Sequence, residues 1–181
     1  MKKILLTIVA VMAAINMSAQ VYVGGSIGFG SVKPVGGGDS EATYKFIPEV
    51  GYNLNDEWAF GAALGYQKGA CSIGNGNFAQ DVTTEIFAID AYARYTPWDF
   101  DLVKVFFDGG FGFGSIKDGG TLFNFGVKPG VALCVTDEIS FVAHIGFFGF
   151  ENYSPKGDGK SGNAFGLDLG NSVSFGVYYN F

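Results

Sequence analysis

The chain has 181 residues, which suits one domain and is short for two. Glycine contributes 29 residues and aromatic residues make up 17% of the chain, so it is neither an ordinary soluble domain nor a disordered segment. A formal net charge of −6 argues against nucleic acid as a partner.

The first nineteen residues have the layout of a secretory signal. Lys2 and Lys3 precede an apolar run over residues 4–15, and small residues follow up to Ala19. The alternative is a membrane anchor, but a helical span needs about 20 apolar residues and this run is shorter. The sequence therefore predicts a signal peptide over residues 1–19 and one domain over residues 20–181.

From Gln20 onward, bulky apolar residues alternate with small or polar ones, which is the pattern of β-strands. In the first segment, for example, Val21, Val23 and Ile27 alternate with Tyr22, Gly24 and Ser26. Eight such segments are predicted, over residues 21–30, 44–53, 58–66, 85–95, 102–114, 123–135, 139–150 and 165–181.

The connections between these segments alternate in length. Short ones are predicted at residues 54–57, 96–101 and 136–138, and longer ones at residues 31–43, 67–84, 115–122 and 151–164. This alternation predicts an all-β fold, an eight-stranded antiparallel up-and-down transmembrane β-barrel with both termini at the short-turn end.

The volume of the side chains predicts which face points outward. An eight-stranded barrel has an interior just wide enough for side chains to fill, and the bulky face carries too many aromatic and branched residues to fit there. We therefore expect the bulky face to contact lipid and the glycine-rich face to line the lumen. The alternative is a soluble barrel or sandwich with the bulky face inside.

The two cysteines, Cys71 and Cys134, fall at opposite ends of the predicted barrel. Because a disulfide requires close Cα atoms, we expect two free thiols.

Two segments carry a family resemblance. Residues 51–58 look like a strand–turn–strand unit, and the chain ends Val177-Tyr178-Tyr179-Asn180-Phe181. Over residues 20–181 the sequence resembles small eight-stranded outer-membrane barrels of the OmpA/OmpX-like, porin-family type. The resemblance implies insertion into the outer membrane of a Gram-negative cell, with outer-membrane lipid as the surroundings. It also implies that the barrel-assembly machinery recognises Tyr179 and Phe181, and we expect a monomer.

The same alternation predicts a polar network in the lumen. Its members are Lys45, Glu49, Glu85, Asp90, Arg94, Lys104, Asp108, Lys128, His144 and Asp168. Since the two signs nearly balance, the set favours salt bridges that close the lumen. The alternative is a narrow ion path, for which an excess of one sign is expected.

No catalytic, cofactor-binding or metal-binding residues are predicted. His144, the single histidine, lacks a nucleophile and an orienting carboxylate on the lipid-facing side. Residues 156–161 fail the phosphate-loop pattern, because Ser154 stands where its first glycine belongs. The predicted function is structural, with surface interaction through extracellular loops and no identified ligand. A small porin-like channel and a lipid-modifying enzyme remain as alternatives.

Overall fold

The computed structural model describes residues 20–32, 41–69, 84–157 and 159–181. The strands are β1 Val21–Val32, β2 Glu41–Asn53, β3 Trp58–Lys68, β4 Glu85–Asp99, β5 Val103–Ile116, β6 Gly120–Cys134, β7 Ile139–Pro155 and β8 Gly162–Asn180. Consecutive strands pair antiparallel and β8 pairs with β1, which closes the barrel. The predicted eight-stranded up-and-down barrel is confirmed. The predicted signal peptide and Cys71 lie outside the described residues.

One end of the barrel carries three short turns, at residues 54–57, 100–102 and 135–138. Side chains cap two of them: Asn55 Oδ1 accepts from the Trp58 amide at 2.8 Å and Thr136 Oγ1 from the Ile139 amide at 3.0 Å. We call this the short-turn end, and the opposite end the loop end. No helix in the described ranges is long and apolar enough to cross a membrane.

The predicted long connection at residues 115–122 is wrong. β5 and β6 stay paired up to Ile116 and Gly120, and residues 117–119 form the whole turn. Asp118 and Gly120 adopt positive φ angles of 59° and 154°, which lets the chain reverse within three residues.

The bulky face points outward, as the volume argument predicts. Leu64, Phe111, Phe125 and Phe141 are each about half exposed or more, whereas Phe106 and Tyr22 on the opposite face are buried. Outward-facing aromatic pairs lie near both ends. Trp58 and Tyr95 have ring centroids 4.7 Å apart towards the short-turn end, and Tyr44 and Tyr66 have centroids 5.8 Å apart towards the loop end.

A bulge changes the alternation within β7. The register with β8 shifts between Ile145 and Phe147, where Gly146 has a φ of 82°. In the predicted segment over residues 139–150, Phe147 belongs to the bulky side of the alternation, for which contact with lipid is expected. That expectation is wrong for Phe147, because after the bulge its ring lines a lumen cavity. A second shift, between β6 and β7, falls at Pro129, which lacks a ladder donor.

Candidate functional site

The centre of the lumen is an ion pair between neighbouring strands. Arg94 on β4 and Asp108 on β5 are register partners. The guanidinium donates from Nε to Asp108 Oδ1 at 2.7 Å and from Nη2 to Oδ2 at 2.8 Å. Both side chains are buried. Two parallel charge-assisted bonds fix the guanidinium in one orientation.

Four aromatic rings surround the Arg94 guanidinium. Its Cζ lies 4.0 Å from the ring centre of Phe106, 5.1 Å from Tyr178, 5.4 Å from Tyr92 and 5.5 Å from Tyr22. Nη2 also donates to the Tyr178 hydroxyl at 3.3 Å. Cation–π contacts at desolvated sites contribute about 2 kcal/mol or more, so these rings offset part of the cost of burying the charge.

Glu49 and His144 extend this arrangement to further strands. The Tyr92 hydroxyl donates to Glu49 and lies 2.7 Å from the Tyr22 hydroxyl, and Glu49 Oε1 is 3.8 Å from Arg94 Nη2. His144 Nε2 lies 2.8 Å from Asp108 Oδ2. We call the set the Arg94 cluster: Tyr22, Glu49, Tyr92, Arg94, Phe106, Asp108, His144 and Tyr178.

The rings of the Arg94 cluster lie directly against glycines. A Cβ built on Gly51 would stand 2.1 Å from the Tyr22 ring, and one on Gly24 2.1 Å from the Tyr178 ring. Cβ atoms on Gly61 and Gly130 would stand 2.3 Å from Tyr92 and Phe106. Each of these glycines is the register partner of its ring on the neighbouring strand. Since no side chain fits beneath the rings, the lumen accommodates large aromatics only because glycine stands beside each of them.

Two cavities flank the Arg94 cluster. One of about 120 Å³ lies towards the loop end, and Glu49, Asp90, Lys128 and His144 contribute to its wall. The other, of about 430 Å³, lies towards the short-turn end and is lined by Arg94, Lys104 and Phe106. We call them the outer cavity and the inner cavity. Tyr178 lines both, so the cluster forms the layer between them.

The predicted network residues occupy several levels of the lumen. Glu49, Arg94, Asp108 and His144 meet in the Arg94 cluster. Lys128 Nζ lies 3.7 Å from Asp90 Oδ1 beside the outer cavity. Lys104 Nζ lies 2.7 Å from Asp99 Oδ2 near the short-turn end. Lys45 lies on the inward-facing side of β2, and the side chain of Asp168 lies outside the described part of the structure.

The predicted lumen position of Glu85 is wrong. Glu85 is five positions before inward-facing Asp90, and side chains alternate along a strand, so Glu85 shares the outward side with Phe87. Its carboxylate accepts from Lys117 Nζ at 3.0 Å and from the Tyr66 hydroxyl at 3.3 Å. Lys117 lies in the turn between β5 and β6, and its hydrogen bond with Glu85 raises the pKa of its ammonium group.

The three lumen tyrosines were missed by the sequence reasoning. Tyr22, Tyr92 and Tyr178 occur on the small-residue side of the alternation, where a large ring stands out. Their place on that side could have identified them as lumen residues. A tyrosine there needs both a polar partner for its hydroxyl and a glycine to lie against.

His144 contacts Asp108 and packs against Phe106 in a T-shaped arrangement, with ring centroids 5.3 Å apart. Within the described ranges, no hydroxyl or thiol hydrogen-bonds to this imidazole, and no group of three or more His, Cys, Asp or Glu side chains is placed to hold a metal ion. Cys134 is a free, half-buried thiol that lines the inner cavity. The geometry therefore presents a packed ionic and aromatic layer across the lumen.

Comparison with known proteins defines the class as membrane-embedded β-barrels. A family model described as "Outer membrane protein beta-barrel domain" matches residues 4–181. The chain belongs to this family, and its location is the outer membrane. Outer-membrane barrels have short periplasmic turns and longer extracellular loops, so the short-turn end faces the periplasm.

Two solved structures share the fold. Neisserial surface protein A (NspA) is 18% identical, with 91% of this chain and 98% of that chain covered and a TM-score of 0.51. The outer membrane protein OprG from Pseudomonas aeruginosa is 12% identical, with 90% and 96% covered and a TM-score of 0.51. No curated protein sequence matches the chain significantly.

Proposed function

We propose that this protein is an outer-membrane anchor whose lumen is closed to ions and whose extracellular end supplies an interaction surface. The Arg94 cluster carries this proposal. Arg94 and Asp108 are joined by two hydrogen bonds, enclosed by four rings, and placed between two separate cavities.

Every strand of the barrel contributes to this layer. β1, β2, β4, β5, β7 and β8 supply its side chains, and β3 and β6 supply Gly61 and Gly130, against which Tyr92 and Phe106 pack. An ion moving along the axis would have to displace paired charges that already satisfy one another, which is costly in a low-dielectric interior. The closed layer therefore favours the role of an anchor and disfavours that of a small porin-like channel.

Single-channel recording in planar bilayers tests the closure. We expect the purified chain to show no steady current, and an Arg94→Ala variant to show brief openings, since the substitution removes the side chain at the centre of the layer. Lys104→Ala is the matched control, because it removes a cation from a half-exposed pair at the periplasmic end. A steady current from the unmodified chain would overturn the closure.

The surface role concerns the connections at the extracellular end. Tyr153 and Gly162 are the last register partners of β7 and β8, so the connection can be shortened by replacing residues 154–161 with Asn-Gly, a two-residue hairpin turn. Cells displaying each form are compared for adhesion to immobilised matrix proteins and to host cells. We expect weaker adhesion by the shortened form at equal surface amounts, and equal adhesion would argue against a role for this connection.

The remaining expectations concern assembly. We expect a monomer in outer-membrane lipid, inserted by the barrel-assembly machinery through recognition of Tyr179 and Phe181. Substituting Phe181 by serine should slow membrane insertion in cells without changing the unfolding of the inserted barrel. Unchanged insertion would refute this role of the terminal residue.

A further inference from the structure

The junction between β1 and β8 differs from the other seven junctions of the barrel. These strands pair only over Tyr22–Gly25 and Val177–Asn180, which is four residue pairs. The other neighbouring strands form eight to fourteen pairs. Beyond Gly25, β1 remains paired with β2, and β8 remains paired mainly with β7. Two strand edges therefore lie unpaired towards the extracellular side.

Glycines occupy the point where the strands separate. Gly25 has a φ of 148°, and a Cβ there would stand 2.2 Å from the carbonyl oxygen of Ile47. A Cβ on Gly176, across the junction, would stand 2.7 Å from the Gly25 carbonyl oxygen. Only glycine is compatible with this geometry, so a side chain at either position would disturb the point where the two strands separate.

The side chains beside the junction are unusually uncovered. Phe29 and Ile27 on β1 are 79% and 73% exposed, and Phe165 and Phe175 on β8 are each 72% exposed. These are the highest values among the large apolar side chains of the described ranges. Cross-strand neighbours cover one another where strands are paired, so these exposures follow from the open junction and give it apolar flanks.

The outer cavity lies directly behind this opening. Ser26 from β1 and Ser174 and Gly176 from β8 line it, so the two strand edges form part of its wall. Its volume of about 120 Å³ matches about four waters at about 30 Å³ each. The apolar flanks of β1 and β8, which face the bilayer, are thus continuous with the small polar outer cavity through the gap between the two strands.

We propose that the opening between β1 and β8 is a lateral binding site for a single-chain amphiphile with a compact, uncharged, hydrogen-bonding head. The chain would lie along the apolar flanks, which continue the lipid-facing surface. The head would enter the outer cavity, whose volume excludes a phospholipid headgroup. A hydroxyl suits the site because it both donates and accepts, and unpaired backbone groups at membrane depth need such partners.

The charges of the cavity favour an uncharged head. Lys128 is already paired with Asp90, and Asp108 with Arg94. Glu49 accepts from the Tyr92 hydroxyl and lies 3.8 Å from Arg94 Nη2, so the charges of the wall are already paired within the barrel. The site lies on the extracellular side of the Arg94 cluster, so it needs no path along the barrel axis, and its failure would leave the proposed closure untouched.

Disulfide cross-linking tests whether the junction is open. In a Cys71→Ser/Cys134→Ser background, Ile27→Cys/Phe175→Cys probes the separated part and Val23→Cys/Tyr179→Cys the paired part. All four positions face outward, and along each strand the two pairs are four residues apart. In a continuous ladder the two pairs would therefore have equivalent geometry. We expect the first pair to cross-link about tenfold more slowly within one chain, because Cα atoms more than about 7 Å apart cannot be bridged without backbone movement.

Equal cross-linking rates, measured on folded protein selected by its gel mobility, would overturn the open junction. Rapid disulfide-linked dimers of the Ile27→Cys/Phe175→Cys variant, formed through either introduced thiol, would show a second copy of the chain at this edge. That result would overturn the amphiphile as the occupant of the opening.

Photolabelling tests the occupant. The probe is 1-dodecanol with a diazirine beside the hydroxyl, used with the full barrel in phosphatidylcholine nanodiscs. We expect labels at residues of the outer cavity. Excess 1-dodecanol should reduce the labelling yield severalfold, and dodecanoate should reduce it much less. Ser174→Trp, which fills the opening, should abolish these labels, whereas Val177→Trp, outward-facing in the paired part, should retain them. Labels confined to lipid-facing residues, or unchanged in Ser174→Trp, would overturn the site.

Discussion

Replacing Arg94 by alanine is the sharpest test of the energetics of the lumen. The substitution leaves Asp108, whose side chain is 4% exposed, without its bidentate partner. It also removes the cation from Glu49 and from the four surrounding rings. Breaking a buried ion pair by deleting one partner costs about 3–5 kcal/mol. Water entering from the adjoining inner cavity offsets part of that loss, so we expect about 3 kcal/mol.

Urea unfolding in lipid vesicles, followed by the gel-mobility difference between boiled and unboiled samples, measures this loss. Lys104→Ala serves as the control, since half-exposed pairs contribute about 0–1 kcal/mol. Arg94→Met/Asp108→Leu removes both charges and should recover part of the stability, because apolar replacement of a buried pair is often neutral or stabilising, although Glu49 still loses its cation. If Arg94→Ala unfolds at the same urea concentration as Lys104→Ala, the reasoning is refuted.

Three further predictions concern other parts of the barrel. Gly61→Ala should destabilise it by about 1–3 kcal/mol through overpacking against Tyr92, whereas Gly65→Ala, whose Cβ would have no neighbour closer than 3.5 Å, should be nearly neutral; urea unfolding compares them. In a Trp98→Phe background, which leaves Trp58 as the fluorescent tryptophan, brominated lipids should quench most strongly when the bromine lies near the headgroup, and strongest quenching at the bilayer centre would contradict its place at the periplasmic interface. His144→Gln should leave the lipid composition of cells unchanged, and an altered acylation pattern would instead favour an enzyme.

The alternation of the sequence was sufficient to predict the barrel and its lipid-facing side. It placed Arg94 and Asp108 on inward positions of adjacent strands. It did not make them register partners, because β4 extends to Asp99 and the register shifts between Tyr95 and Trp98. It failed for Phe147, because the bulge at Gly146 reverses the alternation and a bulge has no reliable sequence signature.

The Arg94 cluster could be predicted only in part. The charged residues were visible as polar positions on a glycine-rich face, but the rings around Arg94 come from β1, β4, β5 and β8, and their convergence depends on barrel closure. The short β1–β8 junction was invisible to pattern reasoning, since both strands alternate normally through it. Gly25 and Gly176 lie where its pairing ends, but glycine is so frequent in these strands that composition does not reveal the end of the ladder.

The contacts between lumen rings and glycines also bear on how the barrel reaches its correct strand alignment. Sliding β1 by two residues against β2 would preserve the inside–outside alternation, and the lipid-facing side alone would barely oppose it. Tyr22 would then meet Glu49 or Asn53 in place of Gly51, and its ring would have no room. The narrow lumen thus favours the native strand register during assembly, because a shift of two residues between strands would remove the glycine beside a lumen ring.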